Sequence, residues 1–155
     1  MSFDKAFALT VGLEGGYSNN PADPGLETKY GISKRAHPDV DINALTLDQA
    51  RDIYRRDYWT PAYCDDMPER IGHLMFDAAV NHGVTAAIKL LQRSLRVADD
   101  GVYGVVTRGQ LLARDTGETA SLLMAERAVY MTTCSAWPTF KRGWLKRCFE
   151  IARAA

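Results

Sequence analysis

With 155 residues, 46% hydrophobic and 25% charged, the chain has the composition of an ordinary globular protein and enough length to bury a substantial apolar core. No apolar run approaches the roughly 20 residues of a membrane span, and three cysteines without C-x-x-C spacing argue against both a disulfide framework and a structural zinc site. Net charge is zero, but residues 1–70 hold twelve acidic and eight basic side chains whereas residues 71–155 hold seven and eleven, so the two halves differ in sign.

Several expectations follow. Cys64, Cys134 and Cys148 should be free, mostly buried thiols. His37, His73 and His82 form no tight ligand pair, so neither a metal nor another cofactor is expected. The basic end, with Lys141, Arg142, Lys146, Arg147 and Arg153, reads first as a solvated helix face and second as a surface for an anionic polymer or membrane; no nucleic-acid partner is expected. The opening residues lack a basic start and a small-residue cleavage site, which predicts synthesis in the cytoplasm without a signal peptide.

Taken in chain order, Phe3, Phe7, Val11 and Glu14 fall at helical spacing, predicting a first helix that ends at Glu14 and is stopped by Gly15 and Gly16. Residues 18–27 are rich in Pro, Asn and Gly and read as loop, and TKYGIS reads as an extended segment or more loop. Thr46 with Gln49 forms a capping box ahead of Ala50, Ile53, Tyr54 and Tyr58, a second helix. Two further helices follow from Glu69 to Val97, broken at NHGV, residues 81–84.

DDGVYG is a tight loop and Thr107–Asp115 a short helix. A longer helix, Thr119–Cys134, offers Leu122, Leu123, Ala125, Val129 and Tyr130 to the core. Pro138 interrupts, and Phe140, Trp144, Cys148 and Ile151 stripe a final helix whose aromatics read as core. No alternating strand of five residues appears, so the fold class is mostly α with at most a minor β element.

Chemistry concentrates in GLEGGYSNNPADPGLETKYGIS, residues 12–33. Glu14 at a helix end and Asp23 on the following loop can face one another across a cleft, the arrangement in which two carboxyl groups cleave a glycosidic bond. One must stay protonated, and apolar neighbours Phe7, Val11 and Leu13 can raise the pKa of Glu14 by desolvation. Asp23 in its polar loop stays ionised and, with Thr28, can hold a water; Asp23 can equally be a turn former ahead of Pro24. Tyr17 and Tyr30 can stack on sugar rings or wedge the loop against the core. Asp77 and Asn81 share a helix face, lining a cleft or bracing the break at Gly83; His82 reads as a helix-terminal structural residue.

The stretch resembles the glycosyl hydrolase family 108 muramidases, whose motif runs approximately E-G-G-Y-x-N-x-P-x-D-P-G-G-x-T-x-x-G-I. Glu14, Gly15, Gly16, Tyr17, Asn19, Pro21, Asp23, Pro24, Gly25, Thr28, Gly31 and Ile32 match, and Leu26 departs where the family has a second glycine. FDAAVNHGVTAAIKLLQ, FKRGWLKR and DDGVYGVVT extend the likeness, the last being similar to a turn of small peptidoglycan-binding modules. The Glu, eight, Asp, four, Thr spacing is similar to the triad of phage-type lysozymes, one residue shorter in its second gap.

The resemblance implies a compact lysozyme-like helical bundle, one domain over 1–155 with a muramidase-like part (1–92) and a helical part (93–155) resembling a peptidoglycan-binding module. It implies an enzyme, a muramidase that cleaves the MurNAc-β-1,4-GlcNAc bond of bacterial peptidoglycan. Glu14, Asp23 and Thr28 would be catalytic, Tyr17, Tyr30 and Asn81 substrate-binding. The setting would be a phage endolysin or a bacterial lysis or secretion protein, a monomer exported by a holin or secretion apparatus to act on the wall in the periplasm. A lytic transglycosylase and a non-catalytic peptidoglycan-binding protein are the alternatives.

Overall fold

A computed structural model describes residues 3–12, 17–19 and 27–155. The elements in order are α1 (Phe3–Thr10), β1 (Ser18–Asn19), β2 (Glu27–Lys29), β3 (Ile32–Ser33), α2 (Leu47–Tyr54), α3 (Glu69–His82), α4 (Val84–Leu95), α5 (Val105–Leu112), α6 (Thr116–Thr132) and α7 (Trp137–Ala154). The protein is mostly α, with one small antiparallel sheet in the order β1-β2-β3.

Helix α3 is the axis. Every residue from Ile71 to Ala79 is buried, the pattern of a helix surrounded by protein rather than lying on a surface. Against it pack α1, α4, α6 and α7. Aromatic rings join α1 to α3 and to α2 with the turn that ends it: Phe3 meets Phe76 of α3 at 5.6 Å and Trp59 edge-on at 5.5 Å, and Phe7 meets Tyr54 of α2 at 5.5 Å. Such contacts add about 0.5–1.5 kcal/mol each beyond the area they bury.

Local signals set several boundaries. The capping box is present, with Thr46 accepting from the Gln49 amide and Gln49 reaching back to the Thr46 amide. Helix α2 runs on through a single π-helical turn, Arg55–Trp59, which puts Trp59 into the core. Gly83 divides α3 from α4, and Cys64 and Cys148 are buried free thiols, with Cys134 half-buried. DDGVYG is a turn docked on α4: buried Gln92 donates to Asp100 Oδ1 at 2.7 Å and to the Val102 carbonyl at 3.0 Å, and accepts from the Gly101 amide.

Four expectations are corrected. Helix α1 stops at Thr10 rather than at Glu14, and Gly12 at φ +78° supplies the left-handed residue beyond it, while Glu14, Gly15 and Gly16 lie outside the described residues. Pro138 does not interrupt a helix; it sits in the first turn of α7, where a missing amide hydrogen costs nothing. In the final stripe only Cys148 and Ile151 are buried, while Phe140 is exposed and Trp137 and Trp144 are half-buried. In α6 the inward face is Thr119, Ala120, Leu123, Arg127 and Met131; Val129 and Ala125 face out. An arginine took a core position because a carboxylate waits for it there.

Candidate functional site

Glu14 and Asp23 lie outside the described residues. Thr28 is half-buried on β2, opposite Ser18 of β1. The hairpin that carries it turns at Tyr30 and Gly31, both with positive φ (52° and 76°), between the paired residues Lys29 and Ile32. A two-residue turn with both φ values positive matches the right-handed twist of the strands it joins.

Gly31 is required twice over. Besides its backbone angle, a Cβ there would stand 2.5 Å from the Tyr54 hydroxyl oxygen. That hydroxyl donates to the Tyr30 carbonyl at 3.1 Å and so pins the hairpin to α2; burial pushes its own pKa up to about 12. Lys29 donates to the Asn43 carbonyl at 2.9 Å and lies over the Tyr30 ring at 5.7 Å. Tyr17, exposed just ahead of β1, donates to Glu27 Oε1 at 2.9 Å. Thr28 thus lies in the small sheet, Tyr30 in its hairpin turn and Tyr17 just ahead of its first strand.

Asn81 stands elsewhere, at the C-terminal end of α3, where its side-chain amide donates to the Asp77 carbonyl at 2.7 Å. Beneath it is a group of charges that sequence reasoning did not assemble. Asp77, fully buried, accepts from Arg147 through Nε at 3.1 Å and Nη2 at 2.6 Å. Its other oxygen lies 2.6 Å from Arg127 Nη1, an ion pair without hydrogen-bond alignment. Arg127 donates through Nε to His82 Nε2 at 3.0 Å. Burial, then the Arg127 charge, bring the His82 pKa down to about 4, so the imidazole is neutral and accepts at Nε2.

Arg147 also donates to the carbonyl of Thr10, the last residue of α1, at 2.8 Å. One guanidinium therefore holds the end of α1, from which the chain leaves toward Glu14, against the central helix. The available signal was Asp77 itself, a carboxylate within a run of apolar α3 residues, which demands a buried cation. A cavity of about 280 Å³ opens above the cluster, lined by Asn81, His82, Tyr130, Trp144 and Arg147 among others.

Buried helices carry a small sheet bearing Thr28, and comparison with known proteins gives the class: this is a glycoside hydrolase. The family model for glycosyl hydrolase 108 matches residues 7–83, the portion from α1 through the end of α3, and the chain belongs to that family. The solved structure of Brucella abortus SagA is similar over nearly the whole length, at TM-score 0.86 and 31% identity, covering 98% of this chain and 92% of that one. No curated protein matches. Membership makes the chain a peptidoglycan hydrolase, acting on the cell wall. No helix among the described residues is long and apolar enough to cross a membrane.

Proposed function

We propose that the protein is an N-acetylmuramidase that cleaves the MurNAc-β-1,4-GlcNAc bond, with Glu14 as general acid and Asp23 and Thr28 holding the attacking water. Glu14 protonates the departing glycosidic oxygen, positive charge develops on the sugar, and water arrives from the opposite face with inversion. Tyr17, Tyr30 and Asn81 contact the glycan. Residues 93–155 act with 1–92 as one unit on the wall, in a phage endolysin or a bacterial lysis or secretion protein that reaches the periplasm through a holin or secretion apparatus and works as a monomer.

The observation that carries this reading is the extent of the family match, residues 7–83, which takes in Glu14, Asp23 and Thr28 together. Geometry adds support at both ends of the segment. Phe7 is buried and Val11 packs on the core, so the described chain ahead of the motif segment is apolar. At the far end Thr28 is held in register by a hairpin anchored on α2.

Muropeptide analysis tests it. A folded Glu14→Gln protein should lose about 10²–10⁴-fold in kcat on purified walls, and wild-type products should carry reducing N-acetylmuramic acid. Retained lysis would remove Glu14 from the mechanism, and 1,6-anhydro products would make the enzyme a lytic transglycosylase.

A further inference from the structure

The cavity between α3, α6 and α7 sits over unequal charges. Arg127 and Arg147 bring two positive charges to the single negative charge of Asp77, and the remaining described residues that line the cavity carry no carboxylate. His82 supplies no counter-charge: its Nε2 accepts from Arg127, so the imidazole is neutral. Among the described residues one positive charge is left over in a partly enclosed space, where it acts more strongly than at an open surface.

That charge is accessible on one side only. Arg127 is buried, whereas the Arg147 side chain is 37% exposed. Arg147 commits Nε and Nη2 to Asp77 and Thr10, and its Nη1 makes no hydrogen bond among the described residues. Beside it Trp144 is half-buried, stacked on Phe140 at 6.2 Å with the rings 18° apart. An oriented guanidinium edge next to a flat aromatic wall suits a carboxylate attached to a compact organic body.

We propose that this cavity is a subsite for a carboxylate of the peptidoglycan stem peptide, bound by Arg147 and flanked by Trp144. The assignment rests on peptidoglycan being the substrate and names the part of it that this wall of the protein reads. Because Arg147 also holds the end of α1 through Thr10, a stem carboxylate bound here touches the same side chain that positions the start of the motif segment. Substrates with free stem carboxylates are therefore preferred over substrates whose carboxylates are amidated.

The test uses the full chain and a soluble muramyl dipeptide, which has no glycosidic bond to cut, offered with a free terminal carboxylate or with that carboxylate amidated. Titration should show the free acid binding about tenfold tighter, the value of one charge-assisted hydrogen bond. Arg147→Gln should erase that preference. In wild type the Trp144 indole N–H resonance should move with the acid, while that of Trp59, buried in the core away from α7, serves as reference. Equal affinity for the two probes, a preference that survives in folded Arg147→Gln, or an unmoved Trp144 signal would overturn the proposal. Should Arg147→Gln fail to fold, the wild-type probe pair and the Trp144 resonance decide alone. A Glu14→Gln enzyme that still lysed walls would discard the catalytic assignment and leave the binding result intact.

Discussion

The hairpin around Thr28 and the charge cluster around Asp77 are held by opposite means. In the hairpin, half-exposed residues are kept in place by backbone pairing, one tight turn and single hydrogen bonds from α2. In the cluster, a fully buried carboxylate draws arginines from two helices and, through one of them, the end of a third. Each contact in the hairpin is worth about 1 kcal/mol, and losing one leaves groups that water can satisfy. Each contact in the cluster shields a charge that water cannot reach, so the cluster is stiff and intolerant where the hairpin is adjustable.

The largest break in that comparison should come from Asp77→Ala. With its carboxylate gone, buried Arg127 and half-buried Arg147 lose the counter-charge they share, and the loss should be about 3–5 kcal/mol in denaturant unfolding. A loss under ~1 kcal/mol would mean that the arginines find other partners and that the cluster is not what fixes α1 to α3.

Gly31→Ala should cost less, about 1–3 kcal/mol, from a left-handed backbone angle and a clash with the Tyr54 hydroxyl. A double-mutant cycle with Tyr54→Phe sharpens this. Removing the hydroxyl relieves the clash but not the backbone strain, so the two costs should be less than additive. Strict additivity would leave the backbone angle as the whole cause.

The smallest effect at neutral pH belongs to His82. Its folded pKa, about 4, lies below the 6.5 of an unfolded histidine. Between those values the unfolded chain binds the additional proton, so stability rises with pH across the window and is lost as pH falls from about 6.5 toward 4. His82→Asn should flatten that segment of the stability profile and change little at pH 7; an unchanged slope would show that the imidazole does not titrate with unfolding.

Much of the fold was legible because it is written in short-range chemistry. The Thr46–Gln49 box, the break at Gly83 and the turn at DDGVYG each depend on residues a few positions apart, whereas the docking of that turn on Gln92 was not legible. The small sheet was half legible: TKYGIS admitted an extended reading, but strands of two or three residues are too short to show alternation. The motif segment carried the family resemblance through its residue types and spacing, while Glu14 and Asp23 themselves fall outside the described residues.

By itself the sequence determined the helical class, the order of the helices and the family, since these follow from periodicity, capping and a motif of fixed residues. Tertiary structure alone decided which face of α6 turns inward, that Pro138 opens a helix, and that the aromatic stripe of α7 stays half in solvent. It also brought Arg147 to Asp77, 70 positions away, and to Thr10, 137 positions away. No local pattern encodes such pairings. A charged residue is stable in the interior only when a distant partner arrives with it, and that depends on how every helix around α3 is packed.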